Sequence, residues 1–137
     1  MKKLRLEIEP IYDFRLIGIS CHEESHRLCW ALNRISGFDF IREEDIALGD
    51  EEEIVFPFFQ FELPEENKVY QLLSNRLGNA YILTELNTVE YLFLVRGDVT
   101  NDDIQEILDQ IHQIDFVILA SEIDIYKLKE KDKLLFY

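Results

Sequence analysis

Leu83-Thr84-Glu85-Leu86-Asn87-Thr88-Val89-Glu90-Tyr91 runs without a break into Leu92-Phe93-Leu94-Val95, and Arg96-Gly97-Asp98 closes the apolar run. Alternation of apolar and polar residues is lost when both faces of a strand are buried, so a continuous apolar run of strand length predicts a strand covered on both sides. Such a strand lies in the middle of a sheet. The rest of the chain is expected to pack around it.

Upstream of that run, Lys68 to Leu73 reads as a strand that pairs across Pro64-Glu65-Glu66-Asn67 with a Phe-rich strand from Ile54 to Leu63. In the Phe-rich segment the apolar positions run 54, 56, 58 and then slip to 59, 61, 63, which predicts a bulge near Pro57 to Phe59. Ser74 to Ala80, with Gly78-Asn79 inside it, reads as a loop. Downstream, Thr100-Asn101-Asp102-Asp103 sets an N-cap with acidic residues in the first turn. Ile104, Ile107, Leu108 and Ile111 then mark a helix to about Gln113. Phe116 to Ala120 reads as another covered strand, Ile123 to Leu128 as a short turn, and Lys127 to Lys133 as a mixed-charge surface tail.

Nearer the N-terminus, Leu4, Leu6 and Ile8 alternate with charges as a strand does, and Phe14 to Ile19 reads as a second strand. Ser20-Cys21-His22-Glu23 has the form of a capping box and Gly37 stands where a helix C′ residue belongs, so a helix is expected from about Cys21 to Ser36. Phe38-Asp39-Phe40-Ile41 begins the next strand. The order predicts a single α+β domain over residues 1–137: a two-layer sandwich of a largely antiparallel sheet with two main helices on one face. A ferredoxin-like plait with an inserted hairpin is the topology expected.

A chain of 137 residues, 47% hydrophobic and 12% aromatic, is long enough to bury roughly 70% of its unfolded surface. Its 14 Lys and Arg stand against 28 Asp and Glu, for a net charge of −14. That field repels phosphate backbones, so nucleic acid is not an expected partner. The basic start, Met1-Lys2-Lys3, leads into no signal-peptide apolar region, and no apolar stretch reaches the roughly 20 residues a membrane span needs. Cys21 and Cys29, eight positions apart on the expected helix, would stand about 12 Å apart, beyond disulfide reach. The expectation is a reduced, cytoplasmic protein.

His22-Glu23-Glu24-Ser25-His26 matches H-E-x-x-H, which in zinc proteases sets two imidazoles one helical turn apart with a glutamate to activate the metal-bound water. Against that chemistry stand Glu23, occupied in the capping box, the charged Glu24, and the lack of a third ligand at a recognisable spacing. A weaker metal alternative groups His22, His26 and Cys29, which share one sector of the helix. Glu43-Glu44-Asp45 and Asp50 to Glu53 lack the order of a calcium loop and read as a solvated acidic face. No catalytic residue and no cofactor is expected.

On the same helix, Leu28, Ala31, Leu32 and Ile35 form the core stripe, and Trp30 lies roughly 150° from its centre beside His26 and Asn33. Either a terminal segment folds over Trp30, or Trp30, Asn33 and His26 form an interaction surface.

The nine residues from Leu83 to Tyr91 resemble the signature that names the IPExxxVDY family of small bacterial proteins. Leu83 stands for Ile, Thr84 for Pro and Glu90 for Asp, while Glu85, Val89 and Tyr91 match. Thr84 removes the fixed φ that proline would set. Trp30-Ala31-Leu32-Asn33 also resembles a family pattern. The resemblance brings no established activity with it, and Glu85 and Tyr91 read as structural, Glu85 satisfying backbone at the strand entrance. The function expected is a non-enzymatic binding or protein-interaction module, with an unidentified protein partner or self-association. The alternative is a metal-dependent hydrolase built on His22-Glu23-x-x-His26.

Overall fold

A computed structural model describes residues 12–35, 37–48 and 53–136. The expected strand at Leu4 to Ile8, the helix end at Ser36 and most of the acidic turn from Gly49 lie outside the described residues. The elements are β1 (Phe14–Cys21), α1 (Ser25–Asn33), β2 (Ile41–Arg42), β3 (Phe58–Leu63), β4 (Lys68–Ser74), β5 (Arg76–Leu77), β6 (Ala80–Tyr81), β7 (Tyr91–Gly97), α2 (Asn101–Ile111) and β8 (Val117–Ile123), with short 3-10 turns between and after them.

The fold is α+β. Six strands form one antiparallel sheet in the order β2-β3-β4-β7-β1-β8, and β5 and β6 form a small separate hairpin. Within the large sheet, β8-β1-β7-β4 with α1 after β1 and α2 after β7 is the arrangement of a ferredoxin-like plait. β2 and β3, inserted between α1 and β4, widen it.

Burial on β7 explains its sequence. Tyr91, Phe93 and Val95 join Ile17, Ile19, Leu28, Leu32, Ile104, Ile107 and Ile111 in the core between sheet and helices. Leu92 and Leu94 join Phe14, Leu16, Leu73, Leu83, Ile125, Leu128 and Leu134 in a second core on the opposite face. From Leu92 to Val95 nothing is accessible, each residue being 0% exposed. The second face is covered not by a helix but by residues 82–89 and by the chain's C-terminal strap, residues 125–136. Leu128, buried within residues 127–133, and Leu134 just beyond them pin this segment to the sheet and correct its reading as a surface tail.

The same two-sidedness accounts for the slip in the Phe-rich strand. Phe56 and Phe58 enter the second core and Phe59 and Phe61 the helix-side core, so consecutive Phe58 and Phe59 need no bulge of their own. The irregularity is on the opposite strand. Between the pairs Arg42↔Phe59 and Ile46↔Phe56, residues 43–45 face residues 57 and 58.

β8 departs from expectation. It is the edge of the sheet, and Ile118 and Leu119 are 63% and 55% exposed, so the run from Phe116 to Ala120 is not a covered strand. Its register steps from Ser20↔Leu119 to Cys21↔Val117, which leaves Ile118 without a partner in β1. That bulge turns two neighbouring apolar side chains outward together.

The helices differ in how they start. α2 has the expected N-cap: Thr100 Oγ1 accepts from the Asp103 amide at 3.1 Å, and Asp103 Oδ2 accepts from the Thr100 amide at 3.0 Å. α1 begins four residues later than its sequence implies, at Ser25, with Glu24 as an N-cap whose side chain makes no capping bond. Ser20 instead donates to the Thr88 carbonyl at 2.9 Å, and Cys21 ends β1. The Gly78-Asn79 loop is a tight hairpin between β5 and β6, turned by Gly78 at φ +61°. Among the described residues no helix is long and apolar enough to cross a membrane.

Candidate functional site

Residues 22–24, the start of H-E-x-x-H, lie in the connection between β1 and α1, ahead of the helix. His22 and His26 therefore do not stack one turn apart on a helical face. His26 sits 3.3 Å from Glu24, Glu23 pairs with Arg27 at 3.3 Å, and Cys29 is buried with its thiol toward the Phe40 carbonyl. The motif and the His22, His26, Cys29 trio are thus spread over a coil, a solvated helix face and the core. Among the described residues no group of three or more His, Cys, Asp or Glu is placed to hold a metal ion. Glu43, Glu44 and Asp45 are exposed, with Asp45 turned to Arg42.

What this connection does meet is the end of the signature stretch. Tyr91 donates its hydroxyl to the Glu23 carbonyl, and an open pocket of about 350 Å3 lies among Cys21, His22, Glu23, Glu90 and Tyr91. Its buried thiol and phenol are held in their neutral forms. Burial, with Glu90 and Glu23 nearby, pushes the Cys21 thiol up, and burial, followed by Cys21 and then the neighbouring Glu90, Glu24 and Glu23, pushes the Tyr91 phenol well above its ordinary range. Burial also pushes Cys29 up to about 11. A thiol reacts as its thiolate, so neither cysteine is prepared for nucleophilic chemistry.

The signature stretch is a latch. Asn75, fully buried, accepts the Leu83 amide at 2.7 Å and donates to the carbonyls of Leu83, Leu86 and Val89 at 3.4, 3.0 and 2.9 Å. These bonds hold residues 83–89 in two successive turns. Glu85 Oε1 accepts the amides of Lys129 and Glu130 at 2.7 and 3.1 Å. Glu130 Oε1 in return accepts the amide and hydroxyl of Thr84 at 2.8 and 2.6 Å, and Lys133 donates to the Ile82 carbonyl at 2.9 Å. Glu85 thus satisfies backbone, as its place in the signature implies, but the backbone belongs to the strap 44 residues away. Sequence reading missed Asn75 and Glu130. A polar residue after a strand and an acid in a charged tail give no local sign of their partners.

Arg96 fixes the far end of the strap. Buried at 5% exposure, it donates to Gln71 Oε1 at 2.6 Å and to the Leu134 carbonyl at 2.5 Å, with its guanidinium over Phe14 and Phe136.

On α1, Trp30 is 61% exposed and the Arg34 guanidinium lies 4.7 Å from the centre of its ring. His26 and Arg27, at i−4 and i−3, are its neighbours on the helix surface. Asn33 is not part of this surface. It donates to the Phe40 carbonyl at 2.9 Å and accepts the Phe40 amide at 2.7 Å, tying the end of α1 to the approach to β2.

Fold and surface together define a small α+β plait with a strapped second face, neutral buried thiols and an aromatic residue standing out on its first helix. No protein-family model matches the chain, no curated protein is similar to it, and no solved structure matches it.

Proposed function

We propose that this chain is a non-enzymatic protein-interaction module, a cytoplasmic member of the IPExxxVDY proteins, and that Trp30 anchors its partner. The observation that carries the reading is the 61% exposure of that indole beneath Arg34. An aromatic anchor desolvated at the centre of a contact contributes far more than its rim, and a pre-stacked arginine holds it in one orientation. Arg34 lies over the ring, while Arg27 and His26 beside it are already turned to Glu23 and Glu24. The partner is therefore a protein with an apolar pocket for the indole and a carboxylate at its rim for Arg34. The matched letters Glu85, Val89 and Tyr91 support the family assignment, and Glu85 gives that letter a structural purpose. The latch contacts leave its carboxylate engaged with backbone.

Trp30→Ala tests the reading. Proteins cross-linked to the parent in its own cells, then identified and purified, should bind the parent and lose at least tenfold in affinity for Trp30→Ala. The variant should retain nearly all of its stability. A loss of about 3–5 kcal/mol would instead make Trp30 a core residue, and equal binding would remove it from the interface. Elemental analysis of protein purified without a His-tag separates this reading from a metal-dependent hydrolase. One zinc per chain, lost in His26→Ala, would overturn the module.

A further inference from the structure

The two edges of the sheet are unlike. β2 closes one side with two residues, whereas β8 runs along the other for seven, and among the described residues no strand pairs with its outer side. An edge strand of that length presents alternate backbone donors and acceptors to whatever approaches, and short edges, charges or bulges are the usual protections. β8 has its bulge at Ile118, but the bulge exposes apolar side chains and does not hide them.

One outward donor already has a partner. The Ala120 amide donates to His112 Nε2 at 3.2 Å, so this N–H points away from β1. Alternation along an antiparallel strand aims the Glu122 amide the same way. His112, exposed just beyond the end of α2, is thus a removable guard over the middle of the edge.

Charge decides what fits there. Between Val117 and Ile123 the single ionisable side chain is Glu122, and Arg15 takes both of its oxygens, at 2.5 and 2.7 Å. A basic strand would find no unengaged carboxylate on β8, and an acidic strand would find no cation on it. An apolar strand with no unpaired charge of its own is complementary, and β8 is such a strand because Arg15 neutralises its Glu122.

We propose that β8 is a self-association edge, at which a second copy docks its own β8 antiparallel across a two-fold axis. The partner's carbonyl replaces the His112 imidazole as acceptor for the Ala120 amide, and Ile118 and Leu119 of the two copies cover one another. The contact is isologous, so it closes at a dimer. Long-range repulsion between two acidic copies opposes their approach, and salt screens it.

Sedimentation of the intact chain over a range of concentrations, in 50 and 500 mM NaCl, tests this. A monomer–dimer equilibrium is expected, tighter in high salt, with His112→Ala tightening it further by several-fold. Leu119→Lys, an exposed substitution that leaves the fold intact, should weaken it at least tenfold, while Trp30→Ala should leave it unchanged. A parent that stays monomeric at millimolar concentration in both salts overturns the proposal, as does a dimer indifferent to Leu119→Lys. A dimer abolished by Trp30→Ala alone would move the contact to α1.

Discussion

Asn75 brings one side-chain amide against four backbone groups, and among the described residues no other side chain bonds as many groups of residues 83–89. An amide is suited to this because it supplies an acceptor for the Leu83 amide and two N–H donors, which serve Leu86 and Val89 directly and share the longer contact to Leu83. Removing a side chain so placed strands several buried groups, each at about 1–3 kcal/mol. Asn75→Ala should therefore lower the free energy of unfolding by about 3 kcal/mol or more, measured by urea denaturation, and a change below about 1 kcal/mol would mean the turns hold without it. Glu85 shows how much of such a role is legible beforehand. Its position just ahead of an apolar run marks it as a backbone acceptor, but Lys129 and Glu130 are adjacent only after the chain has folded back. Asn33 is the converse case. Helical spacing places it beside Trp30, but its short amide turns to the Phe40 backbone and leaves the surface.

At the scale of elements, continuous apolar runs carried two different outcomes. The run in β7 is buried on both faces because strands flank it on both sides and both faces are covered. Leu94→Ala should accordingly cost about 2–5 kcal/mol in unfolding free energy, and calorimetry or urea titration of the variant checks it. The run in β8 is as continuously apolar but lies at the edge, and hydrophobicity alone does not tell an edge from a centre. α1 starts later than its letters imply for a related reason: Ser20 and Glu23 have the letters of a capping box, but β1 continues through Cys21 and Ser20 bonds to Thr88. The strap was the element least visible in sequence, since its three buried apolar residues, Ile125, Leu128 and Leu134, are spaced among charges. Its latch titrates. Burial raises the pKa of Glu130, but hydrogen bonds from Lys133 and Thr84 lower it more, and the net shift is downward. A carboxylate whose folded pKa is depressed contributes stability above its unfolded value of about 4.3, and that contribution is lost as pH falls through the folded pKa. The stability difference between the parent and Glu130→Gln should therefore be full at pH 7 and shrink below about pH 4.3; a difference constant from pH 7 to pH 3 would detach the strap from Glu130.

For the whole molecule, the excess of 28 acids over 14 bases is the dominant electrostatic fact. It acts against the folded state, because compaction brings like charges together. The favourable pairs are fewer and partly solvated: Arg15 with Glu122, Lys68 with Asp103, Lys133 with Glu130. Pairs of this kind contribute on the order of 0–1 kcal/mol each and are themselves weakened by salt. Salt therefore has two opposing effects on stability, relief of general repulsion and screening of specific pairs, and the twofold excess of acids gives the first the larger weight. Raising NaCl from about 10 to 500 mM shortens the Debye length from roughly 30 Å to under 10 Å, less than the separation of most surface charges. The urea midpoint of the dilute chain at pH 7 should rise across that range, urea being the denaturant of choice because it adds no ions. Low protein concentration keeps association at β8 from adding to the effect. A midpoint that falls with salt would show that the ion pairs tying β1 to β8, β4 to α2 and the strap to itself outweigh the repulsion among the acids they leave unpaired.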